Sequence, residues 1–461
     1  MSDTVVSKPY VAVIGAGPAG LYGAQQLVKL GARVVIFNRD IKPGGLAEYG
    51  IYPDKYKMKD GLRAQFDKIL ALPEIEYFGN VPVGEHGALS LADIQAMGFD
   101  AVLVTVGAQG TKWLGLPGEK LRGVYHSKEI VYHYNKLPPF STQPYKIGRR
   151  VIVIGVGNVM MDLAHWLIRE FKVDSVTAVA RRGPAEIKFD KKEFETVGAN
   201  VDLNALDAEL ARCAPYMLAA GQDPAAARAE ILAGLPRALP PVSTTRFQFK
   251  FLASPREVCG ENDGCVHALE VEENELVRSN GDTKAKGLGR AHEIPCDTVI
   301  FAIGDQVDAH FGLPVQRAEF VKNPAPRFPV EGASYEAYDP QTQQSVEGVF
   351  VAGWARQAST GLVGVARKDG ANGANAVGEY LKTLPHVRCV DVACLQARMK
   401  ENQTVFVTLN DLKRLAQAEK AQAQARGLHE WKFAKNEEML NAMGLSQVSC
   451  RVLVHVGQLD V

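Results

Sequence analysis

Residues 11–14, Val11-Ala12-Val13-Ile14, form an unbroken apolar run beside a glycine. A run that short, with no polar alternation, predicts a strand buried on both faces of a parallel sheet. It leads into Gly15-Ala16-Gly17-Pro18-Ala19-Gly20. Over residues 21–30 the positions Ala24, Leu27 and Val28 recur at helical spacing, and Gly31 ends the pattern. Residues 33–37 predict the next strand. The same order returns later in the chain. Arg149 and Arg150 precede a strand at 151–154, and Gly155-Val156-Gly157-Asn158-Val159-Met160 follows. A helix over 161–171 and a strand over 175–180 complete the second copy. The pattern predicts an α/β protein with two Rossmann-like dinucleotide-binding domains.

Between and beyond these copies the pattern is less regular. Residues 100–106 and 297–303 read as strands, ending in Gly107 and Gly304. They fit chain crossings between an outer domain and an inserted one. Residues 349–352 give another apolar strand, ending in Gly353-Trp354. Residues 205–237 are alanine-rich and helical. Segments 272–293 and 330–346 are polar and predict loops or short hairpins. Residues 409–443 predict a charged helical tail. Apart from the two nucleotide folds, no internal repeat is visible.

The glycines of the first motif each have a mechanical role. Gly15 permits the tight turn, Gly17 lets the backbone approach a pyrophosphate, and Gly20 lets helix and strand pack closely. The free N–H groups of the helix N-terminus favour the phosphates. The second strand ends in Asn38, where an acid usually binds the ribose. An amide can still hydrogen-bond a ribose hydroxyl. Asp40 is a nearby substitute, or simply a solvated loop charge. In the second motif Met160 replaces the small third residue, which predicts a slightly wider gap between helix and strand. Its second strand ends in Arg181-Arg182-Gly183. Paired guanidiniums suit a 2′-phosphate and predict NADPH over NADH; a solvated surface pair is the alternative. Asp162, expected in the first turn of the helix, reads either as a helix-dipole acid or as a group facing the nicotinamide carboxamide.

Composition narrows the function classes. The 461 residues are 46% hydrophobic and 23% charged, as in an ordinary globular chain, and their length suggests two to four domains. The 52 basic and 52 acidic residues cancel, so nothing points to nucleic acid or an anionic membrane. Seven cysteines occur, with no Cys-x-x-Cys pair, which excludes a dithiol redox centre of that type and argues against a metal ribbon. No metal is expected. No apolar stretch reaches membrane-spanning length. With a strand starting within about ten residues of Met1, a cytoplasmic protein without a targeting peptide is expected.

Together these residues resemble the adrenodoxin-type ferredoxin–NADP reductases, and more distantly the glutamate synthase small subunit. The resemblance spans nearly the whole chain. It rests on both glycine motifs, on Gly45-Leu46-Ala47-Glu48-Tyr49-Gly50-Ile51 with Pro53-Asp54, and on Arg181-Arg182-Gly183-Pro184 with Glu193. The most specific piece is Gly353-Trp354 with Thr360-Gly361-Leu362-Val363, and Glu437-Glu438-Met439-Leu440 extends the match into the tail.

The resemblance implies an NADPH-binding domain, residues 108–318, inserted into an FAD domain made of residues 1–107 and 319–461. It places Gly15, Gly17, Pro18, Ala19, Gly20, Asn38, Gly45 and Leu46 on FAD. Gly353, Trp354, Gly361, Leu362 and Val363 would lie along the flavin and nicotinamide. Gly155, Gly157, Asn158, Val159, Arg181, Arg182 and Glu193 would lie along NADPH. Asp162, Trp354 and Glu193 would be the catalytic group. A tryptophan can cover a flat ring in a dry site. Besides Asn38 and Met160, the chain departs from the family in three respects. Lys55 stands where a histidine follows Pro-Asp, putting a proton relay there in doubt. Gln357-Ala358-Ser359 replaces Arg-Gly-Pro before Thr360. The cluster-binding N-terminal cysteines of the glutamate synthase subunit are missing, since Cys213 is the first cysteine.

The implied reaction is hydride exchange between NADP(H) and FAD, followed by single-electron exchange with a ferredoxin-like iron–sulfur protein. Rings stacked at about 3–3.5 Å and exclusion of water are the protein's task. An acidic ferredoxin needs a basic docking face. The candidates are Lys55, Lys57, Lys59 and Arg63, with Arg246 and Lys250. Three alternatives stand beside the free reductase. One is a flavoprotein subunit of a larger iron–sulfur complex, such as a 2-oxoacid oxidoreductase or a glutamate synthase-like assembly. Another is a nucleotide-binding module without turnover. A disulfide reductase is disfavoured by the missing Cys-x-x-Cys pair.

Overall fold

The computed structural model describes residues 8–261, 263–279, 281–358, 361–385, 390–402 and 404–445. It divides into two compact units. Among the described residues, the first draws on 8–112, 132–142 and 304–445, and the second on 113–131 and 143–303.

In chain order the elements begin with β1 (Tyr10–Ile14), α1 (Pro18–Lys29), β2 (Arg33–Phe37), α2 (Leu46–Tyr49), α3 (Tyr56–Leu70), β3 (Ile75–Phe78) and β4 (Ala101–Val104). The middle of the chain supplies β5 (Val124–His126), β6 (Arg150–Ile154), α4 (Asn158–Trp166), β7 (Ser175–Val179), α5 (Lys191–Phe194) and β8 (Arg246–Lys250). Then come β9 (Ala253–Gly260), β10 (Val266–Ser279), β11 (Asp282–Pro295) and β12 (Thr298–Phe301). The last part holds β13 (Glu336–Asp339), β14 (Gln344–Val351), α6 (Val363–Leu381), α7 (Leu409–Ala425) and α8 (Asn436–Ala442).

The first unit is built on a sheet of order β13-β14-β4-β1-β2-β3, parallel except for the β13–β14 hairpin. Both faces are buried. Val11 and Val13 enter one apolar cluster, while Tyr10, Ala12 and Ile14 enter another on the opposite face. This is why β1 reads as a continuous apolar run rather than an alternation. Helices α1 and α6 pack side by side through small residues. A Cβ on Gly370 would stand 2.1 Å from the Ala19 carbonyl oxygen, so only glycine allows that approach.

The second unit has a parallel sheet of order β5-β12-β6-β7-β8. Beside it lies an antiparallel sheet, β9-β10-β11. Residues 272–293, expected as loops or short hairpins, are the greater part of two 14-residue strands, β10 and β11. Strand β10 alternates buried and half-buried positions, but β11 has no fully buried residue. A strand solvated along its length carries no apolar periodicity to read. Helix α4 begins at Asn158, not at residue 161, and a π-turn over Leu167–Phe171 ends it.

Candidate functional site

In each unit a glycine loop follows the central strand and lies against the strand on its far side. Gly15 has φ +104°, and its N–H donates to Phe37 O at 2.7 Å. A Cβ there would stand 2.7 Å from Thr105 O, just beyond β4. Gly155 repeats this with φ +127° and a bond to Val179 O at 2.9 Å. Its Cβ would stand 2.3 Å from Ala302 O, just beyond β12. Both loops therefore lie at the point where strand order reverses, the crevice in which open α/β sheets take their ligands. Gly17 and Gly157 are the N-caps of α1 and α4, and neither helix has a side-chain cap there. The space where either Cβ would stand is open. Each unit thus presents free helical N–H groups beside an open approach, which fits a dinucleotide pyrophosphate.

The first unit surrounds its loop with the other expected residues. Gly45, at φ +50°, is the N-cap of α2, and its Cβ would stand 3.1 Å from Gly17 Cα. Gly353, at φ +68°, lies against Ala19. A small hollow lined by Gly353, Trp354, Gln357, Val365, Ala366 and Asp369 opens beside this turn. Gly361, Leu362 and Val363 lead into α6, where Leu362 is 68% exposed, an unpartnered apolar side chain at an uncapped helix start. Ser359 and Thr360 lie outside the described residues. Sequence reasoning missed the residue that fixes this turn. Asp369 accepts from Gly353 N at 2.6 Å, from Tyr335 Oη at 3.0 Å and from Arg356 Nε at 3.0 Å. Arg356 also lies over the Tyr335 ring, 4.6 Å from its centre.

Asn38 has a different task from the one expected. It is buried, and its Oδ1 accepts from Ala16 N at 2.9 Å. Its Nδ2 donates to Asp40 O at 2.8 Å and Lys42 O at 3.1 Å. The amide is consumed in tying the glycine loop to the chain after β2. An aspartate could accept from Ala16 but could not donate to the two carbonyls.

In the second unit Asn158 and Asp190 hold each other: Asn158 Nδ2 donates to Asp190 Oδ2 and Asp190 N to Asn158 Oδ1, each at 2.8 Å. Asp190 precedes α5, so Glu193 is brought to the same edge as Gly157, Asn158 and the exposed Val159. Lys188 N donates to Val156 O at 2.9 Å and lays this segment along the glycine loop. Asp162 is the fifth residue of α4, in its second turn, so the helix-dipole reading fails. Met160 is fully buried within the unit. Arg181 and Arg182 follow β7, and their carbonyls bond Asn274 and Leu252. Their guanidiniums form no ion pair with any described residue.

The basic docking candidates fare less well. Lys59 is 1% exposed, donates to Asn135 Oδ1 at 3.1 Å and faces Glu430 at 3.8 Å. Arg63 grips both oxygens of buried Glu48, at 2.7 and 2.8 Å, and also bonds Glu430. Neither is available to a partner, because both belong to an internal ionic network. Lys432 reaches Glu48 at 2.7 Å, and Lys42 bridges Glu48 and Glu419. Burial alone would raise the Glu48 carboxyl; Lys42, Lys432 and Arg63 override it and hold it well below the usual carboxylate range. Burial, reinforced by Lys432, pushes the Lys59 ammonium down to about 7. Lys250 lies 3.9 Å from Glu209. Lys57 and Arg246 are exposed, and Lys55 is half-buried.

Comparison with known proteins adds to this geometry. Residues 9–197 match the family described as pyridine nucleotide-disulphide oxidoreductase. NADPH-ferredoxin reductase FprA from Mycobacterium tuberculosis is 30% identical over 397 residues, covering 78% of this chain and 81% of the relative. The chain belongs to the NADPH-ferredoxin reductase family. Other members reach further along it: the human mitochondrial NADPH:adrenodoxin oxidoreductase is 26% identical over 484 residues, covering 96% of this chain and 93% of its own. The solved structure of M. tuberculosis FprA in complex with NADPH superposes with a TM-score of 0.77 at 25% identity, covering 95% of this chain and 100% of that one. The doubly wound α/β architecture is that of the family. Among the described residues, no helix is long and apolar enough to cross a membrane.

Proposed function

We propose that this reductase-family chain exchanges hydride between NADP(H) and FAD and passes single electrons to a ferredoxin-like iron–sulfur protein. The observation that carries the proposal is the pair of unpartnered guanidiniums, Arg181 and Arg182, beyond the open glycine loop of the second unit. NADP(H) is assigned to that unit, within residues 108–318, and FAD to the first. Bound flavin supplies the conversion between a two-electron donor and a one-electron acceptor. The chain's own residues bind and orient. Gly15, Gly17, Pro18, Ala19 and Gly20, with Gly45 and Leu46, receive the FAD pyrophosphate at the start of α1. Trp354 covers the ring system, with Gly353, Gly361, Leu362 and Val363 beside it. Gly155, Gly157, Asn158, Val159 and Glu193 line the NADP(H) chain, and Asp162 faces its carboxamide end. Asn38 acts on FAD through the loop it holds, not through a ribose hydroxyl. Lys57 and Arg246 remain as exposed contacts for an acidic partner. The five described cysteines are free thiols, consistent with a cytoplasmic, reducing location.

The test is anaerobic addition of NADPH and, separately, NADH while the flavin band near 450 nm is followed. Bleaching by NADPH at far lower concentration than by NADH is expected. Equal bleaching by NADH would overturn the role given to Arg181 and Arg182.

A further inference from the structure

Outside the residues of the glycine motifs, Glu85, His86 and His310 meet on the surface of the first unit. Glu85 and His310 are 225 residues apart in sequence, yet Glu85 Oε2 lies 3.1 Å from His310 Nδ1. The imidazoles of His86 and His310 are 5.2 Å apart between centres, inclined at 42°. One ligand atom from each of the three side chains lies within 4.8 Å of the other two.

The backbone fixes this spacing. Glu85 N donates to His310 O at 2.8 Å, joining the two segments directly. Asp308 accepts from His310 N at 2.9 Å and shapes the turn that carries the histidine. Gly84, at φ +150°, and Gly312, at φ +100°, bracket the two segments with bends that other residues rarely adopt. Among the described residues no lysine or arginine pairs with Glu85, whose partner is the His310 imidazole. The pair is open to solvent, with His310 and Glu85 side chains 65% and 54% exposed.

A hydrogen bond between Glu85 and His310 would join the segments by itself. It gives no reason for a second imidazole facing the first. Two imidazole nitrogens and a carboxylate form a ligand set suited to zinc-type divalent ions, whereas magnesium and calcium take oxygen donors. Metal–ligand bonds of about 2.0–2.2 Å place neighbouring donors roughly 3.3–3.5 Å apart in a tetrahedral site. All three residues are exposed, which leaves their side chains room to close from within 4.8 Å toward that spacing. Three protein ligands leave the fourth position to water.

We propose that Glu85, His86 and His310 bind one divalent transition-metal ion, of which zinc is the representative. The ion would clip the segment after β3 to the segment through which the chain returns to the first unit. The test is calorimetric titration of zinc into the full-length protein, beside His86→Ala, His310→Ala and Glu85→Gln. All three positions are on the surface, and near-UV circular dichroism in chelator checks that each variant folds like the parent. One zinc per chain is expected, with a zinc-dependent rise in melting temperature. Each substitution should weaken binding by at least about tenfold, and excess magnesium should not compete. Unchanged zinc affinity and stoichiometry in His86→Ala would overturn the proposal, as would zinc binding abolished by magnesium.

Discussion

At the scale of single residues, charge without a partner and charge with too many partners lead to opposite roles. Arg181 and Arg182 form no ion pair with any described residue, so replacing either with alanine removes chiefly what they offer a ligand. A charge-assisted hydrogen bond is worth about 1.5–3 kcal/mol. Arg181→Ala or Arg182→Ala should therefore raise KM for NADPH roughly 10–100-fold and leave KM for NADH nearly unchanged. Steady-state kinetics with both nucleotides reads this directly. Lys59 is the opposite case. Its ammonium is held down to about 7, so between there and the ordinary lysine value the unfolded chain binds more protons than the folded one. Stability from this group rises as pH rises through that window. Lys59→Met lacks the titration. Denaturant melts should show the parent gaining on the variant between pH about 7 and 10; parallel curves would refute the buried-ammonium account. The sequence displayed Arg181-Arg182 because position after a strand carries the meaning. It could not display Lys59, whose burial depends on Asn135, Glu430 and Lys432 arriving from distant parts of the chain.

At the scale of elements, the C-terminal segment acts as a strap across the first unit. Lys432 donates to the carboxylate of Glu48 and to the carbonyls of Glu48 and Asn135. Glu430 meets Lys59 and Arg63, and His429 meets Asp60. Met439, Leu440 and Met443 of the tail pack with Leu415, Val407 and Ile41. The strap thereby holds α2, whose N-cap Gly45 leans on the first glycine loop. Breaking a buried ionic network by removing one partner costs about 3–5 kcal/mol. Lys432→Met should lower stability on that scale and weaken retention of FAD, measured by flavin release on gel filtration. A destabilised variant that keeps its flavin as tightly as the parent would separate the strap from the loop. The tail's helices were legible in the sequence. Their attachment was not, because ion pairs over long separations leave no periodicity.

At the scale of the whole molecule, legibility followed burial. Strands β1, β4, β6 and β12 are covered on both faces and announced themselves as apolar runs. Strand β11 is solvated and passed for loop. The glycine loops were legible because strained backbone admits few residue types. Asn38 and Asp369, which hold those loops by hydrogen bonds, look like any polar residue until their partners are known. Hydrogen exchange should follow the same gradient: the amides of β1 and β4 protected longest, and those along the outer edge of β11 exchanging soonest. Equal protection of β1 and β11 would contradict the layered burial.

The interleaving of the two units along the chain also sets an order of assembly during synthesis. All five strands of the second parallel sheet have been made once Phe301 is added. The first sheet must wait for β14, which ends at Val351. At about 5–20 residues per second, that interval is roughly 3–10 s. Throughout it Ala101-Val102-Leu103-Val104 is an apolar strand whose future neighbour does not yet exist. The earliest-made part of this protein is thus the last to be finished, and its unprotected edge is where a nascent chain would first meet a chaperone or another copy of itself.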